Sequence, residues 1–172
     1  MNKRDFSFKH SLTTLSVCSL LAFSATHALA QTGDAPVWRT DLTGGETTTY
    51  ALSDLAPGMA GKPIKLTGSN NSGYFDFTVK PDEVVMGGEL TLNFTVSPSM
   101  LANVTQLNIF LNGELQETAA LSAKQIGKPQ SLVFNLGSKS FRTGQNQVRV
   151  EFVGHYQTVC ENASNPSLWM DI

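Results

Sequence analysis

The sequence predicts an all-β domain, an antiparallel β-sandwich, from three observations. Short runs alternate apolar and polar residues with period two, as Leu90, Leu92, Phe94 and Val96 do within Glu89 to Ser97. Alternation of that kind places one apolar face on a strand. Turn residues separate these runs at regular spacing, and almost nothing in the chain has helical periodicity. Short strands joined by turns in one domain-sized chain argue two packed sheets.

Taken in order, the chain starts with an export signal. Lys3, Arg4 and Lys9 form a basic start, Leu12 to Phe23 an apolar stretch, and Ala28-Leu29-Ala30 a small-residue cleavage site. This order of features marks a secretory leader over residues 1–30, too short and too weakly apolar for a membrane span. The first mature residue is then Gln31. Residues 31–60, rich in Thr, Gly, Asp and Pro, predict an extended lead-in with a short strand near Thr47 to Leu52. Residues 61–172 form the sandwich, and its first core strand is expected at Pro63 to Thr67.

Ser69 to Gly73 (SNNSG) has the composition of a turn. Tyr74 to Val79 sets Phe75, Phe77 and Val79 against Tyr74, Asp76 and Thr78, a half-buried strand. Gln106 to Leu111 and Glu114 to Thr118 flank Asn112-Gly113, a pair suited to a type I′ hairpin turn because both central residues take positive φ. Ser122 to Ile126 predicts one helical turn or a short helix, closed by Gly127, and Ser131 to Leu136 another strand. Gln147 to Val153 follows, with Val148, Val150 and Phe152 on its apolar face. After the loop His155 to Pro166, Ser167 to Ile172 resumes a strand in which Trp169 is expected to join the core, with an exposed aromatic platform as the alternative. A chain that stops inside an apolar strand is expected to be a piece of a longer one, incomplete at its C-terminus, with Leu168 to Ile172 at an open edge.

Charge and composition exclude several functions. The mature part carries nine Lys and Arg against 13 Asp and Glu, a net of −4, with no basic block. Nucleic acid and anionic membrane surfaces are therefore poor partners. The mature chain has one histidine, His155, and one cysteine, Cys160, so no zinc site of several His and Cys ligands assembles. The lone thiol is expected to be buried or unreactive, with an intermolecular bridge or a partner outside this segment as the alternatives. There is no G-x-S-x-G elbow, no Walker loop, no G-x-G-x-x-G and no C-x-x-C. Nothing singles out two of the 13 carboxylates as a glycosidase pair. The chain is read as non-catalytic, with no cofactor and no metal.

Recognition chemistry remains. Sugar rings pack their C–H faces on aromatic planes while placed polar groups fix orientation. The candidate residues are Tyr156 with its loop neighbours His155, Glu161 and Asn162, and Tyr74 on its strand. Each has a structural alternative: His155 as a hydrogen-bonded loop residue, Tyr74 as the cap of a sheet edge.

The run VEFVGHYQTVCEN (Val150 to Asn162) followed by SLWMDI (Ser167 to Ile172) resembles the periplasmic regulatory B subunit of bacterial cellulose synthase, the cyclic di-GMP-binding protein family. The likeness extends to Pro81 to Leu101 and to LNIFLNGEL (Leu107 to Leu115). The resemblance implies that the sandwich is the family's first carbohydrate-binding-like domain, a jelly roll. It implies that a flavodoxin-like domain follows, that this pair repeats, and that a C-terminal helix anchors the protein in the inner membrane. It implies a periplasmic subunit that supports the catalytic A subunit and guides the nascent β-1,4-glucan, with other copies of the B subunit as further partners. It also implies cyclic di-GMP as the family's activator. This segment lacks the Arg-x-x-x-Arg and Asp/Asn-x-Ser-x-x-Gly motifs of the usual receptor, and its mature arginines, Arg39, Arg142 and Arg149, are scattered. The alternative is an exported sandwich that binds proteins and never touches sugar.

Export is directly testable. Expressed in a Gram-negative host, the product should be periplasmic and begin at or near Gln31. N-terminal sequencing that finds Met1 intact on a cytoplasmic product would overturn the leader.

Overall fold

The computed structural model describes residues 5–12, 45–56 and 64–172, with backbone alone for residues 5–12 and 45. Nearly all of it is antiparallel strand. The strands are β1 (Asp5–Leu12), β2 (Gly45–Ala51), β3 (Lys65–Thr67), β4 (Asn70–Val79), β5 (Glu83–Val96), β6 (Gln106–Leu111), β7 (Glu114–Ala120), β8 (Gln130–Leu136), β9 (Gly144–Val153) and β10 (Trp169–Asp171). A four-residue helix, Leu52–Leu55, and a 3-10 turn, Ser138–Ser140, are the helical pieces among the described residues.

The strands form two sheets. One has the order β4-β9-β6-β7. The other runs β2-β1-β5-β10-β3, with β8 also paired to β5. Their inner faces share one apolar core, in which Phe75, Phe134 and Phe152 are sealed from solvent. Burying one such ring is worth roughly 2–3 kcal/mol, and the aliphatic side chains packed around the three rings add to the drive to pair the sheets. Leu90, Leu92, Phe94 and Val96 all point inward, as do Val148, Val150 and Phe152. The two-sheet antiparallel sandwich predicted from the alternation is thus observed.

The hairpin forms in the expected register, from Gln106 opposite Ala120 to Leu111 opposite Glu114, with a bulge after Ile109. Asn112 and Gly113 take φ of 53° and 85°, the mirror-image turn that a two-residue hairpin requires. Asn112 is also tied to the rest of the fold. Its side-chain amide donates to Ser140 O and to Asn146 Oδ1, both at 2.8 Å, and its Oδ1 accepts from Gln147 N at 3.0 Å. Asn146 itself is 1% exposed and fully bonded, accepting from Arg142 N and donating to Arg142 O and Gly144 O. A buried amide in that state costs the fold little, because every polar atom has a partner.

Several expectations are corrected. The turn assigned to Ser69 to Gly73 is mostly strand. β4 begins at Asn70, which pairs with Val153, and the ladder to β9 overrides the local turn chemistry of Asn and Ser. Asn71 spends its side chain on Thr67 O and on Ser72 N, which keeps it compatible with the strand. β5 starts six residues earlier than expected, at Glu83. Ser122 to Ile126 makes successive turns, with Gln125 N bonded to Ser122 O, and not a helix. Trp169 is not core. The buried positions are Leu168, Met170 and Ile172, and the period of two turns Trp169 outward, where the Lys65 ammonium sits 5.2 Å from its ring centroid. The open edge expected at Leu168 to Ile172 is also absent: β10 lies between β5 and β3. Cys160 is exposed, not buried.

Within the expected leader, only Asp5–Leu12 is described, and the Ala28-Leu29-Ala30 site lies outside the described residues. These eight residues form β1, paired antiparallel to β2 on one side and to Glu83–Leu90 of β5 on the other. Cleavage after Ala30 would remove β1 from the sheet and leave β2 without that partner. Pro63 likewise lies outside the described residues, and the first core strand is seen as Lys65–Thr67 with Leu66 buried.

The turn gives a clean test of backbone strain. A Cβ at Gly113 meets no atom within 4 Å, so crowding plays no part there. Gly113→Val should then cost the left-handed penalty alone, roughly 1–2 kcal/mol. The measurement is the urea midpoint of the purified protein; an unchanged midpoint would contradict the turn.

Candidate functional site

Two surfaces collect the candidate residues. The first is the loop after β9, where Glu161 is the organising group. Its Oε1 accepts from Gln157 N at 2.8 Å and from Tyr156 N, and its Oε2 lies 2.7 Å from His155 Nδ1. Two backbone amides and an imidazole N–H thus converge on one carboxylate, whose side chain is 15% exposed. These bonds favour the charged form and hold the Glu161 carboxyl below its ordinary 4.5, the Gln157 amide contributing most. Tyr156 packs its ring against the core, and its hydroxyl accepts from Asn162 N at 3.0 Å. Asn162 Oδ1 in turn accepts from Ser164 N. His155 O accepts from Leu101 N at 2.7 Å and fixes the loop to the turn after β5. His155, Tyr156, Glu161 and Asn162 are therefore brought together, but they bond to one another and to the loop backbone.

Tyr74 lies elsewhere, on the outer face of the β4-β9-β6-β7 sheet, and is 49% exposed. Register builds a row across that face. Tyr74 pairs with Arg149, Arg149 with Phe110, and Phe110 with Leu115. The Arg149 guanidinium carbon sits 3.6 Å from the Phe110 ring centroid, a cation–π contact. Arg149 also donates to Glu151 Oε1 at 2.8 Å, so its charge is matched on the same strand. The next row continues the pattern in polar groups: Asn108 Nδ2 donates to Glu151 Oε2, and Thr118 Oγ1 donates to Asn108 Oδ1, each at 2.8 Å. On the far side of Arg149, Gln147 Nε2 donates to Asp76 Oδ1 at 2.9 Å.

Sequence reading found Tyr74 and missed Arg149, Phe110 and Leu115. Each occupies an outward position of a strand, and the hairpin alone relates Phe110 to Leu115 from sequence. Their alignment with Tyr74 depends on the long-range registers of β9.

The fold is a two-sheet β-sandwich module whose outer face and loop carry aromatic and polar side chains. Residues 46–172 match the family model described as cellulose synthase BcsB, first CBM domain, and the chain belongs to that family. The chain is 42% identical over 124 residues to the cyclic di-GMP-binding protein of Escherichia coli O157:H7, covering 72% of this chain and 15% of the relative. It is 31% identical over 160 residues to the cyclic di-GMP-binding protein of Pseudomonas fluorescens (strain SBW25), covering 92% and 20%. Cellulose synthase 2 of Novacetimonas hansenii is 28% identical over 126 residues, covering 73% and 8%. The chain thus spans a fifth or less of the length of these relatives.

The loop makes a pH prediction. A carboxylate whose folded pKa is depressed stabilises the fold above its unfolded value and loses that contribution as pH falls through the folded one. The Tyr156 and Gln157 amide shifts should titrate with a midpoint below 4.5, and Glu161→Gln should abolish that titration. A midpoint at or above 4.5 in an NMR pH series would contradict the arrangement.

Proposed function

We propose that this chain is the first carbohydrate-binding module of a periplasmic, non-catalytic regulatory subunit of bacterial cellulose synthase. The observation that carries the reading is the family match over residues 46–172, that is, over the sandwich itself. In this reading the subunit supports the catalytic membrane subunit and guides the nascent β-1,4-glucan as it leaves the membrane. The leader read at residues 1–30 delivers it to the periplasm. Among the described residues no helix is long and apolar enough to cross a membrane.

The relatives are named for binding cyclic di-GMP. We assign no contact with that dinucleotide to this module. Arg149 is already matched by Glu151 and stacked on Phe110, which leaves it poorly suited to a bis-phosphate clamp.

Deleting the coding sequence for residues 46–172 in frame, in the bacterium that encodes it, should lower secreted β-1,4-glucan severalfold. The purified protein should release no reducing sugar from cellohexaose. Undiminished cellulose output, or turnover of the oligosaccharide, would overturn the reading. Intact output together with capture of a protein partner would favour the protein-binding alternative.

A further inference from the structure

We propose that the outer face of the β4-β9-β6-β7 sheet is the glucan-contacting surface of this module. A β-1,4-linked chain would cross the strands along the row Tyr74, Arg149, Phe110 and Leu115. The inference rests on the reading of the module as part of a glucan-secreting synthase, and it goes further by assigning the surface, the residues and the direction of the chain.

Geometry is the first support. Neighbouring strands lie about 4.8 Å apart, so four side chains in register make a track about 14 Å long. One inter-strand step is close to the length of one pyranose in an extended β-1,4-linked chain. Successive rings can then meet successive side chains without bending the polymer.

Chemistry is the second. The row offers the exposed Tyr74 ring, a guanidinium stacked on Phe110, and the exposed Leu115, which suit the C–H faces of sugar rings. The rows on either side hold amides, a hydroxyl and carboxylates, already fixed by mutual hydrogen bonds, where ring hydroxyl groups would lie. Side chains held in place before binding lose little freedom on binding. Charge is the third support. Arg149 and Glu151 neutralise each other, and with Asp76 beside them the face holds no surplus positive charge for an anionic ligand, which leaves a neutral polyhydroxylated polymer as the better fit.

The other surfaces fit less well. In the loop, Tyr156 packs its ring against the core, which leaves less of its plane open to a sugar than the exposed Tyr74 offers. On the other sheet Val84, Met86 and Val133 are exposed without hydrogen-bonding groups, and the outward ring of Trp169 already has the Lys65 ammonium over it, 5.2 Å from its centroid.

The test uses the full chain and cellohexaose, with affinity read by calorimetry and contact by NMR shift mapping. Tyr74→Ala should weaken binding about tenfold, the scale of one lost aromatic contact, while Tyr74→Phe restores it. Thermal midpoints guard against misfolding, and half-exposed Tyr74 should tolerate both changes. Val133→Ser, on the other sheet, should leave affinity unchanged. Shifts should map to the outer face of β4, β9, β6 and β7. Equal affinity in Tyr74→Ala, shifts confined to residues 155–166, or no binding by the unaltered chain would each overturn the proposal. The last result leaves the subunit reading standing if the deletion lowers cellulose output. Undiminished output with intact cellohexaose binding would sink the subunit reading and spare the surface.

Discussion

Between the two sheets, Phe75, Phe134 and Phe152 share a sealed layer with the leucines, isoleucine and valines of both inner faces. The strands that line that layer must each give one of their two sides to it, since burial of apolar area is the main favourable term available to a domain of this size. The consequence is a strict division of labour along each strand. Throughout β6, from Gly73 onward in β4 and from Asn146 onward in β9, every second residue is buried, and the residues between them are the ones free to meet a ligand. A sandwich therefore writes its recognition chemistry in steps of two, and the steps of separate strands are aligned by backbone pairing.

That division explains what was legible in the sequence. The apolar faces of β9 and of the second half of β5 could be read because their alternation is unbroken. The β6–β7 turn could be read because Asn112-Gly113 satisfies a local requirement for positive φ. The start of β4 was hidden, since Asn70 to Gly73 has the composition of a turn and only the ladder to β9 makes it strand. Trp169 was misplaced for a related reason: its size argued for burial, whereas the side it faces is set by Leu168 and Met170 beside it. Of the candidate site, the residue types were legible and their arrangement was not. Glu161 stood out as a polar neighbour of Tyr156, but nothing local showed that backbone amides occupy it. Tyr74 stood out as an aromatic, but its place in a row depends on registers with residues up to 75 positions away.

The N-terminus sets two physical demands on the same residues. A basic and apolar start is what export requires, while Asp5–Leu12 pairs with β2 and β5 as a strand. Only one of these can hold in a processed chain. With the leader removed, the Glu83–Leu90 stretch of β5 keeps its pairing to β8 from Gly88 onward and loses its partner before it. The four-stranded sheet does not include β1, so its outer face is the same either way.

The hairpin tip carries a chemical consequence as well as a structural one. Asn followed by Gly is the pair most prone to succinimide formation, because the small residue lets its backbone nitrogen attack the asparagine amide. Here that amide is held by Ser140 O and Asn146 Oδ1, and its oxygen by Gln147 N. Leaving this position for the attack geometry means breaking bonds to two other segments of the fold. The covalent ageing of Asn112 is thereby coupled to folding stability: the native chain protects the residue, and each unfolding event exposes it to slow conversion into an aspartyl or isoaspartyl turn that no longer fits.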